Sequence, residues 1–143
     1  MQSDYVQQRV RLNNVHISKM LYGLHQTTSD SLDVLKLVNA LVLKVQSCDA
    51  FGAQAVGNAL YGLRGMSSEH SEVCRLVGAL VVKVQSSTEP LDAQAIGNAL
   101  YGLQSMCSEH PEVRRLVDAL VVKVQSSTES LSAQNVGNAL YGL

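Results

Sequence analysis

The sequence predicts an all-α chain, a right-handed α-solenoid of helix-turn-helix repeats, each about 40 residues long. Three observations carry this expectation: a motif recurs at a fixed interval, apolar residues recur with the period of an α-helix, and cap-competent residues stand at each helix start. AQAVGNALYGL at 53–63 returns as AQAIGNALYGL at 93–103 and AQNVGNALYGL at 133–143. LVGALVVKVQSSTE at 76–89 returns as LVDALVVKVQSSTE at 116–129. Aligning 52–91 on 92–131 leaves 31 of 40 positions identical. A diverged earlier copy has MLYGL at 20–24 and LVNALVLKVQS at 37–47, 39 residues before their counterparts. The shortening falls in the linker QSCDAFGAQ, where a loop tolerates a deletion that a helix would not.

Residues 1–11 align with the tail of a preceding second helix. Repeat 1 then covers 12–51, repeat 2 covers 52–91, repeat 3 covers 92–131, and 132–143 matches the first helix of a truncated fourth repeat. Opening and closing inside a repeat is the pattern expected of a slice of a longer repeat protein. Each first helix is expected to start at a cap: Asn13, Gly52, Asp92 and Ser132. Apolar pairs flank those caps as hydrophobic staples, Leu12 with Ile17, Phe51 with Val56, Leu91 with Ile96 and Leu131 with Val136. In repeat 3 the first-helix stripe is Ile96, Ala99, Leu100, Leu103 and Met106, so the helix is expected to reach Met106. The second-helix stripe is Val113, Leu116, Val117, Leu120, Val121 and Val124, with Pro111 suited to the first turn. Valine favours sheet, but the period and length of these segments favour helix. Gly97 and Gly102 flank the first-helix stripe, and each costs about 1 kcal/mol relative to Ala in a helix. Their recurrence predicts close approach between the first helices of successive repeats, with backbone flexibility as the alternative.

Composition narrows the function classes. Apolar residues make up 46% and charged residues 16%, enough to build a core, and the net charge of −1 supplies no field for nucleic acid or anionic membranes. The longest apolar run, 76–82, is far short of the roughly 20 residues a membrane-spanning helix needs. The first residues carry no basic-then-apolar signal segment. Cys48, Cys74 and Cys107 are scattered, odd in number and not at metal spacing, so they read as small semi-apolar fillers, with no disulfide framework and no zinc site. No nucleophile–base pair, phosphate loop or cofactor motif occurs, and His70 and His110 beside Glu69 and Glu109 read as loop residues. Near-identical repeats suit catalysis poorly, because a catalytic site needs different groups converging. No enzyme activity and no cofactor are expected.

Binding residues are expected opposite the first-helix stripe. Gln94, Asn98, Tyr101 and Ser105 project there in repeat 3, Gln54, Asn58 and Tyr61 in repeat 2, and Gln134, Asn138 and Tyr141 in the fourth. Stacked, they would form ladders of amide and phenol groups suited to an extended ligand, or would bond to neighbouring repeats and hold register. A second candidate is the apolar row Leu43, Val82 and Val122 on the second helices, which would either pack between adjacent second helices or meet a partner. Lys44, Lys83 and Lys123 recur once per repeat, but acidic neighbours balance them, and they read as part of a solvated face.

GNALYGL followed by a second helix of LVxALVVKV type resembles the octotricopeptide repeat family. Its helical-hairpin repeats carry Asn-Ala-Leu-aromatic-small-Leu in the first helix, matched here by Asn58–Leu63, Asn98–Leu103 and Asn138–Leu143. The aromatic is often Trp in that family and is Tyr in every copy here, and the unit here is longer. The resemblance implies a plastid or mitochondrial protein that binds single-stranded organellar RNA and acts in its processing, stability or translation. The neutral charge, uncharged ladders and apolar row instead favour a scaffold or accessory subunit that docks to protein subunits of a larger complex. That is the expected function, with RNA binding as its alternative.

Overall fold

A computed structural model of the chain describes residues 13–127 together with 136, 137 and 140. Among the described residues there are α-helices and one short 3-10 helix, and no strand. The helices are α1 (Asn14–Tyr22), α2 (Leu32–Ser47), α3 (Ala53–Tyr61), α4 (Ser71–Ser86), α5 (Ala93–Tyr101) and α6 (Pro111–Ser126), with the 3-10 helix Gly23–Gln26 following α1. The all-α expectation is met. The expected tail at 1–11 and the site residues Gln134, Asn138 and Tyr141 lie outside the described residues.

The short first helices start where the caps predict. Asn13 Oδ1 accepts from the His16 amide at 2.9 Å, and Asp92 Oδ1 accepts from the Ala95 amide at 2.7 Å. Gly52 has no side chain to offer; the Glu89 carboxylate reaches across from the next linker and accepts from the Ala53 amide at 2.9 Å. The staple residues Phe51, Val56, Leu91 and Ile96 are all buried. These helices end sooner than the stripe suggests, at the tyrosine and not near Met106. From there the chain tightens into i→i+3 turns, with the Leu103 amide donating to Leu100 O at 3.1 Å and the Met106 amide to Leu103 O at 2.9 Å. The tighter winding still turns Leu63, Met66 and Leu103 into the core.

Each second helix has an acid in its first turn (Asp33, Glu72, Glu112) and a lysine in its last (Lys44, Lys83, Lys123), both favourable to the helix dipole. Like helices pack on like: α1 on α3 and α3 on α5, α2 on α4 and α4 on α6. The closest backbone packing therefore runs between repeats, not within a hairpin. Glycines make this possible on the first-helix layer. Gly62 lies against the Leu21 carbonyl and Gly102 against the Leu60 carbonyl, so closely that a Cβ at either would overlap the oxygen. On the opposite side, a Cβ on Gly57 would come within 3.0 Å of Ala95 Cα. Val81 and Val84 of α4, which has α6 beside it, are buried; their counterparts Val121 and Val124 are exposed.

Candidate binding surface

Tyr22, Tyr61 and Tyr101 end the three first helices and form a column. Tyr22 stacks on Tyr61 at 5.4 Å between ring centroids and Tyr61 on Tyr101 at 5.3 Å, with interplanar angles of 21° and 17°. The His25 ring leans on Tyr22 and Tyr61. Arg64 lies over the rings of Tyr61 and Tyr101, donates from Nε to the His25 carbonyl at 2.6 Å, and from Nη1 to the Tyr101 hydroxyl at 3.3 Å. Ser105 Oγ donates to the Arg64 carbonyl at 2.7 Å. The tyrosines and Ser105 thus hold one repeat to the next, and Tyr61 has a tyrosine ring on each side.

The amides behave differently. Gln54, Asn58, Gln94 and Asn98 line two neighbouring grooves between successive first helices, of about 300 Å³ between α3 and α5 and about 420 Å³ between α1 and α3, with Gln54 and Asn58 shared by both. None of the four side-chain amides has a hydrogen-bond partner among the described residues. The charged groups in these grooves are Asp92 in one and Glu89 and Lys19 in the other. Both carboxylates already accept helix-cap hydrogen bonds. In repeat 1, Val15 and Lys19 stand where repeat 2 has Gln54 and Asn58, so the amide pattern begins at repeat 2.

Several cations are committed to neighbouring loops and repeats. Lys83 is buried, and its Nζ donates to the Cys48 carbonyl at 2.5 Å; Lys123 Nζ donates to the Ser87 carbonyl at 2.6 Å. Cys48 and Ser87 cap the preceding second helices, so each lysine meets the negative end of a neighbouring helix dipole. This corrects the expectation of a solvated face for Lys83 and Lys123: they are inter-repeat clamps. Arg75 Nη2 bonds Asn39 Oδ1 at 2.9 Å across the same layer, and Arg114 bonds the carbonyls of Ser108 and Glu109. Burial pushes the Cys48 thiol above its ordinary pKa, partly offset by the Lys83 charge.

Leu43, Val82 and Val122 do not pack between second helices. They are 70%, 59% and 61% exposed, while Val81 and Lys83 on either side of Val82 are buried. The row faces outward, available to a partner.

Two features escaped the sequence analysis. Ser29 Oγ accepts from the Ser67 amide at 2.8 Å and Ser68 Oγ from the Cys107 amide at 2.7 Å, and both serines are buried. The signal was a serine at the same place in each TSD, SSE and CSE string, hidden among ordinary loop residues. The second is a cluster of donors capable of binding a metal. Glu69, Cys107 and His110 lie with ligand atoms within 4.8 Å of one another, where chain spacing had argued against any zinc site. Glu69 comes from a different repeat than Cys107 and His110, so spacing along the chain hides the group.

No helix among the described residues is long and apolar enough to cross a membrane. Among the described residues, the fold and surface are all-helical, with grooves between like helices. No protein-family model, curated protein or solved structure matches the chain.

Proposed function

We propose that the chain is a non-catalytic binding module, its hairpins stacked as a right-handed α-solenoid of the octotricopeptide type. On this reading it is a scaffold or accessory subunit that docks a protein partner by taking an extended polypeptide segment along the first-helix face. The observation that carries this reading is the set of four amides, Gln54, Asn58, Gln94 and Asn98, lining adjoining grooves without hydrogen-bond partners among the described residues. Each amide offers both a donor and an acceptor, the pairing a peptide backbone requires. A phosphate backbone would need cations along its path. Among the described residues, these grooves set Glu89 and Asp92 against the single cation Lys19, and Lys83 and Lys123 are held by carbonyls. The exposed Leu43, Val82 and Val122 add apolar surface on the other layer, in keeping with a subunit of an assembly.

The test is to pan a display library of unstructured peptides against the wild type and the Asn58→Ala/Asn98→Ala double variant, and to filter-bind a random single-stranded RNA pool at two salt concentrations. The expected result is enriched peptides whose affinity falls at least about tenfold in the double variant, in line with losing two hydrogen bonds of about 1 kcal/mol each. RNA should not be retained. RNA retention that falls steeply with salt, without peptide enrichment, would support the RNA-binding alternative implied by the family resemblance.

A further inference from the structure

We infer that Glu69, Cys107 and His110 form a zinc-type site for a divalent metal ion, clipping the loop before α4 to the loop before α6. Their donor atoms lie within 4.8 Å of one another, and a tetrahedral zinc needs about 3.5 Å between a thiolate and an imidazole ligand, so a closure of about 1 Å completes the site. Thiolate, imidazole and carboxylate together suit zinc better than magnesium or calcium.

Two further observations separate this cluster from a chance surface grouping. Cys107 and His110 hang on one buried hydroxyl: Ser68 Oγ accepts from the Cys107 amide at 2.7 Å and lies 2.9 Å from His110 Nδ1. That contact orients the imidazole, as outer partners do for histidines that hold metals. His110 also sits at the N-cap position of α6 without making a cap bond, so its side chain has no helix-capping task. The thiol is particular to this junction. At the preceding one the matching residues are Asp30, Ser67 and His70, with a hydroxyl in place of the thiol. On binding, Cys107 gives its proton to solvent and its sulfur pair to the metal, and no oxidant takes part. Three protein ligands leave the fourth position to water.

The test is titration of the full metal-free chain with Co2+ alone, followed by displacement with Zn2+. One equivalent of Co2+ is expected to bring up the near-ultraviolet thiolate-to-metal charge-transfer band, and Zn2+ should abolish it. Cys107→Ser restores the residue found at the same place in repeat 2, so it should fold as the wild type does by circular dichroism, and it should lose the band. Cys48→Ser and Cys74→Ser should keep it. Glu69→Gln should weaken Co2+ binding at least about tenfold, the scale on which even outer-shell losses register. A wild-type chain without the band, or a band that survives Cys107→Ser, overturns the inference.

Discussion

Gly62 packs its Cα against the carbonyl of Leu21 in the preceding repeat, leaving no room for a Cβ. Gly102 repeats the contact on Leu60. The backbone at both is ordinary right-handed helix, with φ of −59° and −64°, so it is proximity that demands glycine there.

The sign of a substitution follows from this. Alanine normally stabilises a helix by about 1 kcal/mol over glycine. Gly62→Ala or Gly102→Ala should instead destabilise by about 1–3 kcal/mol, because the methyl must push two helices apart. Gly23, with nothing within 4 Å of an added Cβ, is the control, and Gly23→Ala should be neutral or stabilising. Urea unfolding of the three variants checks the contrast.

Lys83→Met tests the clamp between second helices. It keeps the aliphatic stem but removes the bond to the Cys48 carbonyl. A loss of about 1.5–3 kcal/mol is expected, the scale of a charge-assisted hydrogen bond. Chemical denaturation at neutral pH measures it. The same change at the exposed Lys19 should fall within about 0.5 kcal/mol.

At Tyr61, the middle ring of the tyrosine column, stability should respond to loss of the ring and not of the hydroxyl. Tyr61→Ala removes two stacking contacts worth about 0.5–1.5 kcal/mol each and should lower the melting temperature by several degrees. Tyr61→Phe should melt close to the wild type. Thermal unfolding by circular dichroism distinguishes the two.

Ser68→Ala should cost about 1–3 kcal/mol, since it strips the acceptor from the Cys107 amide in a buried loop. Ser67→Ala, one residue away and less buried, should cost less. Denaturation of the pair checks the assignment.

Helix existence, order and capping were legible from the repeat itself, because Asn13, Asp92 and the buried staples act locally and recur. The close approach at Gly102 was legible too, since a repeated cost in helix propensity points to a packing need. What stayed hidden depends on partners one repeat away. The Lys83 and Lys123 bonds, the Ser68 hydroxyl and the Glu69, Cys107 and His110 group all join residues 35–42 positions apart. A helical wheel locates such side chains on a face but not their neighbours. The ladder of candidate binding residues divided for the same reason: stacking claims Tyr61 and Tyr101, while the Asn58 and Asn98 amides remain at the groove.

Like-on-like packing of successive helices underlies both the grooves, between first helices, and the clamps, between second helices. Nuclear Overhauser spectroscopy with tyrosine-selective labelling tests it most directly, using single Tyr→Phe variants for assignment. Ring-to-ring contacts are expected between Tyr22 and Tyr61 and between Tyr61 and Tyr101, with none between Tyr22 and Tyr101. A Tyr22–Tyr101 contact, or no contact among the three rings, would contradict the stacked order.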